Sequence, residues 1–250
     1  MGGIALGQVL AVVSGKGGTG KTSLCAGVAF ALVQEGKAVL CIDADVGLRN
    51  LDISLGLSQE PVLPFTAVMR GEYSLSGAAV HPSYPNLHFL TAPVTESPED
   101  LDPSQFASLL EEAKEQFDWV LIDAPAGVGA GFRLSVQFAD LAMVVTGGDP
   151  AALRDGARAA QALDACSNAQ ARIVVNRIRR KFFQRTRSTV DDSMDIIGLP
   201  LLGIVPEDEA ISLSAANGTP LPRRTKKGAA LACLHIARRL CGVKQPLLNL

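Results

Sequence analysis

The stretch SGKGGTGKTS, Ser14 to Ser23, decides how the rest of the chain is read. Within it, Gly15-Lys16-Gly17-Gly18-Thr19-Gly20-Lys21-Thr22 satisfies the phosphate-loop spacing G-x-x-x-x-G-K-[ST]. Both flanks have the form such a loop needs. QVLAVV (8–13) reads as a buried strand, and the nearly all-apolar segment 21–35 reads as a helix ending at Gly36. The glycines permit positive φ and let backbone N–H groups close around phosphate oxygens. The helix N-terminus adds partial positive charge. Lys21 is placed to reach the outer phosphates and the Thr22 hydroxyl to bind Mg²⁺, with Ser23 next to it a further candidate nucleotide-binding residue.

The second lysine, Lys16, is not needed for that cradle. It reads as a solvated loop residue or as a group that leaves the front of the loop. In the second case it would stabilise charge on the phosphates of another copy docked face to face, as an arginine finger does.

Outward from the loop, short apolar runs alternate with helix-length segments. The strand candidates are 8–13, 38–43, 87–92, 119–124, 141–146, 172–176 and 201–205. Several are apolar at consecutive positions, the mark of a parallel sheet covered on both faces. The helix at 103–117 carries Phe106, Leu109, Leu110, Ala113 and Phe117 on one stripe, with Asp102 as cap, Pro103 at the first position and Gln105 in a capping-box-like start. The expectation is one α/β domain over 1–250, a P-loop nucleotide-binding fold with a mostly parallel, doubly wound sheet flanked by helices. Segments 58–64 and 218–227 read as surface loops.

Two carboxylate motifs follow from that fold. LIDAPAG sets Asp123 at the end of an apolar strand, where it can hold the metal through water. CIDADVGLRNLD ends another strand with Asp43 and Asp45, which the two-residue spacing puts on one side of a strand. One can position an attacking water and the other support the metal or a lysine; the plainer reading is a polar strand end that caps the next turn.

Composition bounds the alternatives. The 250-residue chain is 48% hydrophobic and 19% charged with a net charge of −2, so no global field favours nucleic acid or anionic lipid. The five cysteines, Cys25, Cys41, Cys166, Cys233 and Cys241, form no CxxC or CxC pair. That argues for reduced thiols in a cytoplasmic protein and against a zinc or iron–sulfur carrier. No apolar run approaches the roughly 18 residues that span a bilayer, and the start lacks the basic region of a signal peptide.

KGGTGKT (16–22), DADVGLRNLD (43–52), DAPAG (123–127), VVNR (174–177) and GIVPEDEAI (203–211) together resemble the MinD/ParA family of deviant Walker A ATPases, and GLRNLD resembles its septum-site-determining branch. The likeness runs from about residue 8 to 249. It implies an ATPase that binds ATP or ADP with Mg²⁺, forms an ATP-dependent homodimer, and works as a spatial switch in division-site placement. It implies that Lys16 acts in trans, that Lys21 and Thr22 bind phosphate and Mg²⁺, that Asp45 orients the attacking water, and that Asp123 is the Walker B acid. Asn176, Arg177 and the backbone of Pro206, Glu207 and Asp208 match the adenine side. DPAALRDGAR (149–158) resembles the segment where the family binds its MinC and MinE partners, with Asp155 a candidate contact. Thr19 stands where valine is common in that branch. A ParA-type or flagellar-positioning ATPase is the rival within the family, disfavoured by GLRNLD and the acidic net charge. A nucleotide-binding scaffold is the rival outside it, disfavoured by the intact Lys21, Asp45 and Asp123.

The resemblance also implies peripheral membrane association through a short basic amphipathic helix, which QPLLNL (245–250) does not match. Ala229, Cys233, Ile236, Ala237 and Leu240 form one stripe that reads as a core-facing helix. RIRRKFFQRTR (177–187), with six basic residues and two phenylalanines, reads as a solvated loop beside the adenine in preference to a lipid or nucleic-acid contact.

Overall fold

The computed structural model of the protein describes residues 6–46, 48–179, 185, 189–217 and 227–248. Its centre is an eight-stranded sheet: β1 (Gln8–Val13), β2 (Val39–Asp43), β3 (Ala79–His81), β4 (Tyr84–Leu90), β5 (Trp119–Asp123), β6 (Leu141–Thr146), β7 (Gln170–Ile178) and β8 (Leu201–Pro206). The spatial order is β3-β4-β2-β5-β1-β6-β7-β8. Every pairing is parallel except β3 with β4 at the edge.

The consecutive apolar runs form the buried middle of the sheet. Val9 to Val13 of β1 are at most 1% exposed. The two-residue alternation of the strand sends Leu10 and Val12 to one face, and Val9, Ala11 and Val13 to the other. On the first face lie α1 (Lys21–Gln34), α2 (Leu51–Leu55), α8 (Glu209–Ala216) and α9 (Gly228–Leu240). On the second lie α3 (Phe65–Met69), α4 (Pro103–Gln116), α5 (Ala130–Gln137), α6 (Pro150–Cys166) and α7 (Val190–Ile197). Helix α1 is sandwiched between the sheet and α9, which is why its sequence is apolar nearly all round.

Several details carry the sequence reading through. Gly36 follows α1 at φ 81°, the left-handed C′ position. Asp102 caps α4, accepting from the backbone N–H of Ser104 at 2.8 Å and from its hydroxyl at 2.7 Å. The α9 stripe is core, with Ala229, Cys233, Ile236 and Ala237 at most 2% exposed. Among the described residues no helix is long and apolar enough to cross a membrane.

Other details differ. Strand β3 was not expected, because three residues are too short to show a pattern. The expected strand 87–92 begins at Tyr84, since pairing with β3 recruits its start. The stretch 58–64 is not wholly loop: Pro64 bridges Thr91, and Thr91 N–H donates to the Leu63 carbonyl at 2.9 Å. Of the basic stretch 177–187, only residues 177–179 and 185 are described, and of the expected loop 218–227 only Lys227. Residues 245 and 246 are fastened to the β8 side, where the Arg239 guanidinium donates to the carbonyls of Leu202, Gln245 and Pro246 at 2.7–3.0 Å.

Candidate active site

Seven parallel strands end at one edge of the sheet, and β1 lies near its centre. The chain leaves β1 to build strands on one side and later returns past it, so the crevice there is a topological switch point. The phosphate loop follows β1, Asp43 ends β2, Asp123 ends β5, Gly147 follows β6, and Asn176 lies near the end of β7.

The loop is shaped by its glycines. Gly18 and Gly20 have φ of 80° and 85°, and Gly20 is the N-terminal cap of α1. At Gly15 a Cβ would lie 1.9 Å from the Asp155 carbonyl oxygen, so the loop packs directly on α6. The far flank is held by Asn176, 3% exposed, whose side-chain amide donates to the Thr19 carbonyl at 2.8 Å. Asn176 also accepts from the Arg177 N–H, and Arg177 takes the unusual φ of 54°.

Beneath the loop is a buried ion pair. Lys21 Nζ lies 2.8 Å from Asp123 Oδ1, with side chains 7% and 1% exposed. The second oxygen, Asp123 Oδ2, is buried without a hydrogen-bond partner. Burial pushes the Asp123 carboxyl up, opposed by the Lys21 charge and hydrogen bond and then by the Thr22 hydroxyl. A buried carboxylate oxygen with no partner, beside a threonine hydroxyl, is a donor set that suits Mg²⁺ held jointly with phosphate oxygens. Among the described residues no three His, Cys, Asp or Glu side chains gather into a cage that would hold a metal alone.

Asp43 and Asp45 are arranged differently from the sequence expectation. Strand β2 stops at Asp43. Asp43 Oδ1 accepts the Asp45 N–H at 3.0 Å, which turns the chain and takes Asp45 off the strand. Asp43 Oδ2 accepts the N–H groups of Asn50 and Leu51, both at 3.1 Å. Its oxygens are thus engaged with backbone, the strand-end capping role, and it is not gathered with Asp45 and Asp123 as a metal cage. Burial and then the Asp123 charge push the Asp43 carboxyl up to about 6. Half-buried Asp45 is also raised by burial, while Lys21 lowers it and Asp123 raises it, so its carboxylate feels the ion-pair centre directly.

Lys16 stands apart from that centre. Its Nζ is 3.5 Å from Asp155 Oδ2, and the two side chains are 39% and 29% exposed. Ser23 faces away from the loop, into a crevice with Phe30, Ser54 and Ile211. Arg179 grips exposed Glu207 in a two-pronged pair, including Nη2 to Oε1 at 2.8 Å. Pro206 ends β8. The Asp208 carboxylate ties two helix starts together, accepting from Ala210 and Ala229 N–H groups at 3.0 and 2.9 Å.

A cleft of about 340 Å³ opens beside the loop between Lys16–Thr19, Asn176, Arg177, Glu207 and a wall the sequence reading missed: Gly147, Gly148 and Asp149. The signal was present, since a Gly-Gly-Asp turn follows the buried strand LAMVVT at the same sheet edge. Asp149 caps α6 there, accepting from Ala152 N–H at 3.0 Å.

Comparison with known proteins agrees with this fold. Residues 10–221 match the family model described as the CobQ/CobB/MinD/ParA nucleotide binding domain. The chain is 40% identical over 245 residues to the septum site-determining protein MinD of Synechocystis, covering 97% of this chain and 92% of that one. It superposes on the MinC:MinD cell division protein complex of Aquifex aeolicus with TM-score 0.88 and 33% identity, over 97% of this chain and 98% of that one. A MinD solved with Mg-ADP from Pyrococcus horikoshii gives TM-score 0.79 at 26% identity, over 94% and 96%. The chain therefore belongs to the MinD family of septum-site-determining proteins, within the MinD/ParA P-loop ATPases.

Proposed function

We propose that this ATPase is a nucleotide-driven switch: two ATP-loaded copies close face to face, and Lys16 of each completes the other's site. The observation that carries this reading is the separation of the two lysines. Lys21 is buried on Asp123, whereas Lys16 sits partly exposed at the front of the loop against Asp155. A lysine at the front, held only by a part-exposed pair, can turn to a second copy's phosphates, while its own are served by Lys21.

Each residue then has a task. The glycine-loop N–H groups hold the phosphates, and Lys21 leaves Asp123 to join them. Thr22 and Asp123 Oδ2 would hold Mg²⁺, which would supply neutralisation of charge on the outer phosphate oxygens. Asp45, off the strand and near enough to Lys21 and Asp123 for both charges to act on it, orients the attacking water. Lys16 of the second copy offsets charge developing on the transferred phosphoryl oxygens. Asn176, Arg177 and Glu207 line the cleft, and the family likeness makes them, with the backbone of residues 206 and 208, the adenine side.

The partner reading rests on position. Asp155 lies on α6 against Lys16, at the edge where two copies would meet, so a MinC- or MinE-like regulator docking on 149–158 touches the switch lysine's neighbour. The Aquifex relative solved with MinC supports that class of partner. Family membership supports a cytoplasmic protein, and it is the family likeness alone that supports peripheral association at the inner membrane face. The test is hydrolysis with and without a second copy: Lys21→Ala should lose nucleotide affinity, whereas Lys16→Ala should keep most affinity and lose concentration-dependent turnover. Equal loss of nucleotide binding in both would sink the trans role.

A further inference from the structure

We propose that Asp43 and His81 are positioning residues that clamp the two ends of α2, and that this clamp sets Asp45 for the reaction. The inference rests on the reading of Asp45 as the water-orienting acid.

Helix α2 has five residues, far below the length at which a helix holds by itself. Its N-terminal residue Asn50 makes no side-chain cap. The capping group comes instead from Asp43, seven residues upstream, whose Oδ2 takes the Asn50 and Leu51 N–H groups. The other oxygen of the same carboxylate takes the Asp45 N–H. One buried side chain therefore fixes both the start of α2 and the backbone of Asp45.

The far end of α2 is held by His81 from the β3–β4 hairpin. Its Nε2 is 3.0 Å from the Leu55 carbonyl, and its Nδ1 is 3.1 Å from Ser83 N. A backbone N–H can only donate, so Nδ1 accepts and Nε2–H donates to Leu55. The ring is 6% exposed and packs edge-on against Phe30 of α1 and Tyr84 of β4. Between the clamps, Leu51 and Leu55 are fully buried. The loop from Asp45 to Asn50 passes through Arg49 at φ 38°, held by its Nε on Thr91 Oγ1 at 2.9 Å.

Three of about four lone-pair sites of Asp43 are thus occupied by backbone. Oδ2 already takes two N–H groups and Oδ1 a third, so the carboxylate is oriented by the backbone it caps and has one site on Oδ1 left over. Asp43 serves the reaction through the backbone it holds.

The test uses Asp43→Asn, His81→Phe and their double variant, with Asp123→Asn as the metal-site control. His81→Phe keeps ring packing and removes both ring hydrogen bonds. In nucleotide-free protein, amide exchange over 50–55 should quicken at least ~10-fold in each single variant, with β1 and β5 unchanged. Turnover should fall ~10-fold or more in each, because small misplacements of a reacting group are costly. The Mg²⁺ concentration for half-saturation should stay within about twofold of wild type in both, and rise in Asp123→Asn. The double variant should be no slower than the worse single, since both hold one element. Unchanged protection of 50–55 overturns the clamp. So does a Mg²⁺ shift in Asp43→Asn matching that of Asp123→Asn, or a double variant whose losses multiply. If Asp43→Asn does not fold, His81→Phe carries both readouts alone. If wild type itself does not hydrolyse ATP, the ATPase reading fails, and exchange over 50–55 still decides the clamp.

Discussion

Removing one member of the Lys21–Asp123 pair should cost more than removing both. The groups are 2.8 Å apart and 7% and 1% exposed. At an effective dielectric of ~20 their attraction is about 6 kcal/mol. Part of that is returned because the deleted group no longer has to be desolvated. Lys21→Met or Asp123→Leu alone should therefore destabilise the nucleotide-free protein by about 3–5 kcal/mol, leaving one uncompensated buried charge. For a chain of this size that is a fall of about 6–20 °C in Tm. The double variant replaces the pair with apolar groups and should be less destabilised than either single, a recovery of at least ~5 kcal/mol relative to the sum of the singles. Urea unfolding followed by circular dichroism reads all four proteins. If the two losses add to within ~0.5 kcal/mol, the groups do not act as a pair, and the exchange of Lys21 from Asp123 to phosphate loses its basis.

Gly15→Ala should be disproportionately damaging, because its Cβ meets the Asp155 carbonyl at 1.9 Å and either the loop or α6 must move. Nucleotide affinity by fluorescent-ADP titration should drop at least ~10-fold, whereas Gly36→Ala, which meets no atom within 4 Å, should cost stability only through its φ of 81° and leave affinity intact. Asp155→Asn frees Lys16 from a part-exposed pair worth about 0.2–1 kcal/mol. Sedimentation should then show ATP-dependent self-association tightened by about 1.4- to 5-fold. The third expectation concerns pH. Burial lowers the His81 pKa, so between its folded and unfolded values the unfolded chain binds more protons. Stability from this residue is complete above the unfolded value of about 6.5 and falls as pH drops below it. His88 and His235 shift the same way, so His81→Phe should flatten the pH 5.5–7.5 slope of unfolding free energy only in part.

The sheet was legible because its middle strands are buried on both faces and therefore read as unbroken apolar runs. The site was legible to the extent that it is local. Gly15 to Thr22 and Asp123 are marked by their spacing and their place after apolar strands. What the spacing could not show is where side chains at strand ends turn. Asp43 and Asp45 look alike in DAD, yet one carboxylate is spent on three backbone N–H groups and the other is not. Contacts between distant segments were equally hidden. Lys16 meets Asp155 and Asn176 meets Thr19 only because β1, β6 and β7 are neighbours in the sheet. His81 lies on a three-residue strand that exists through its pairing with β4.

The most direct test of the switch is mass in solution. Size-exclusion chromatography with light scattering should be run on wild type and Lys16→Ala, each with Mg-ADP and with a slowly hydrolysed ATP analogue. Wild type should double in mass with the ATP analogue alone, and Lys16→Ala should stay a monomer while still binding nucleotide. Two proteins that dimerise equally, or a wild type whose mass ignores the nucleotide, would contradict a lysine that works across the interface.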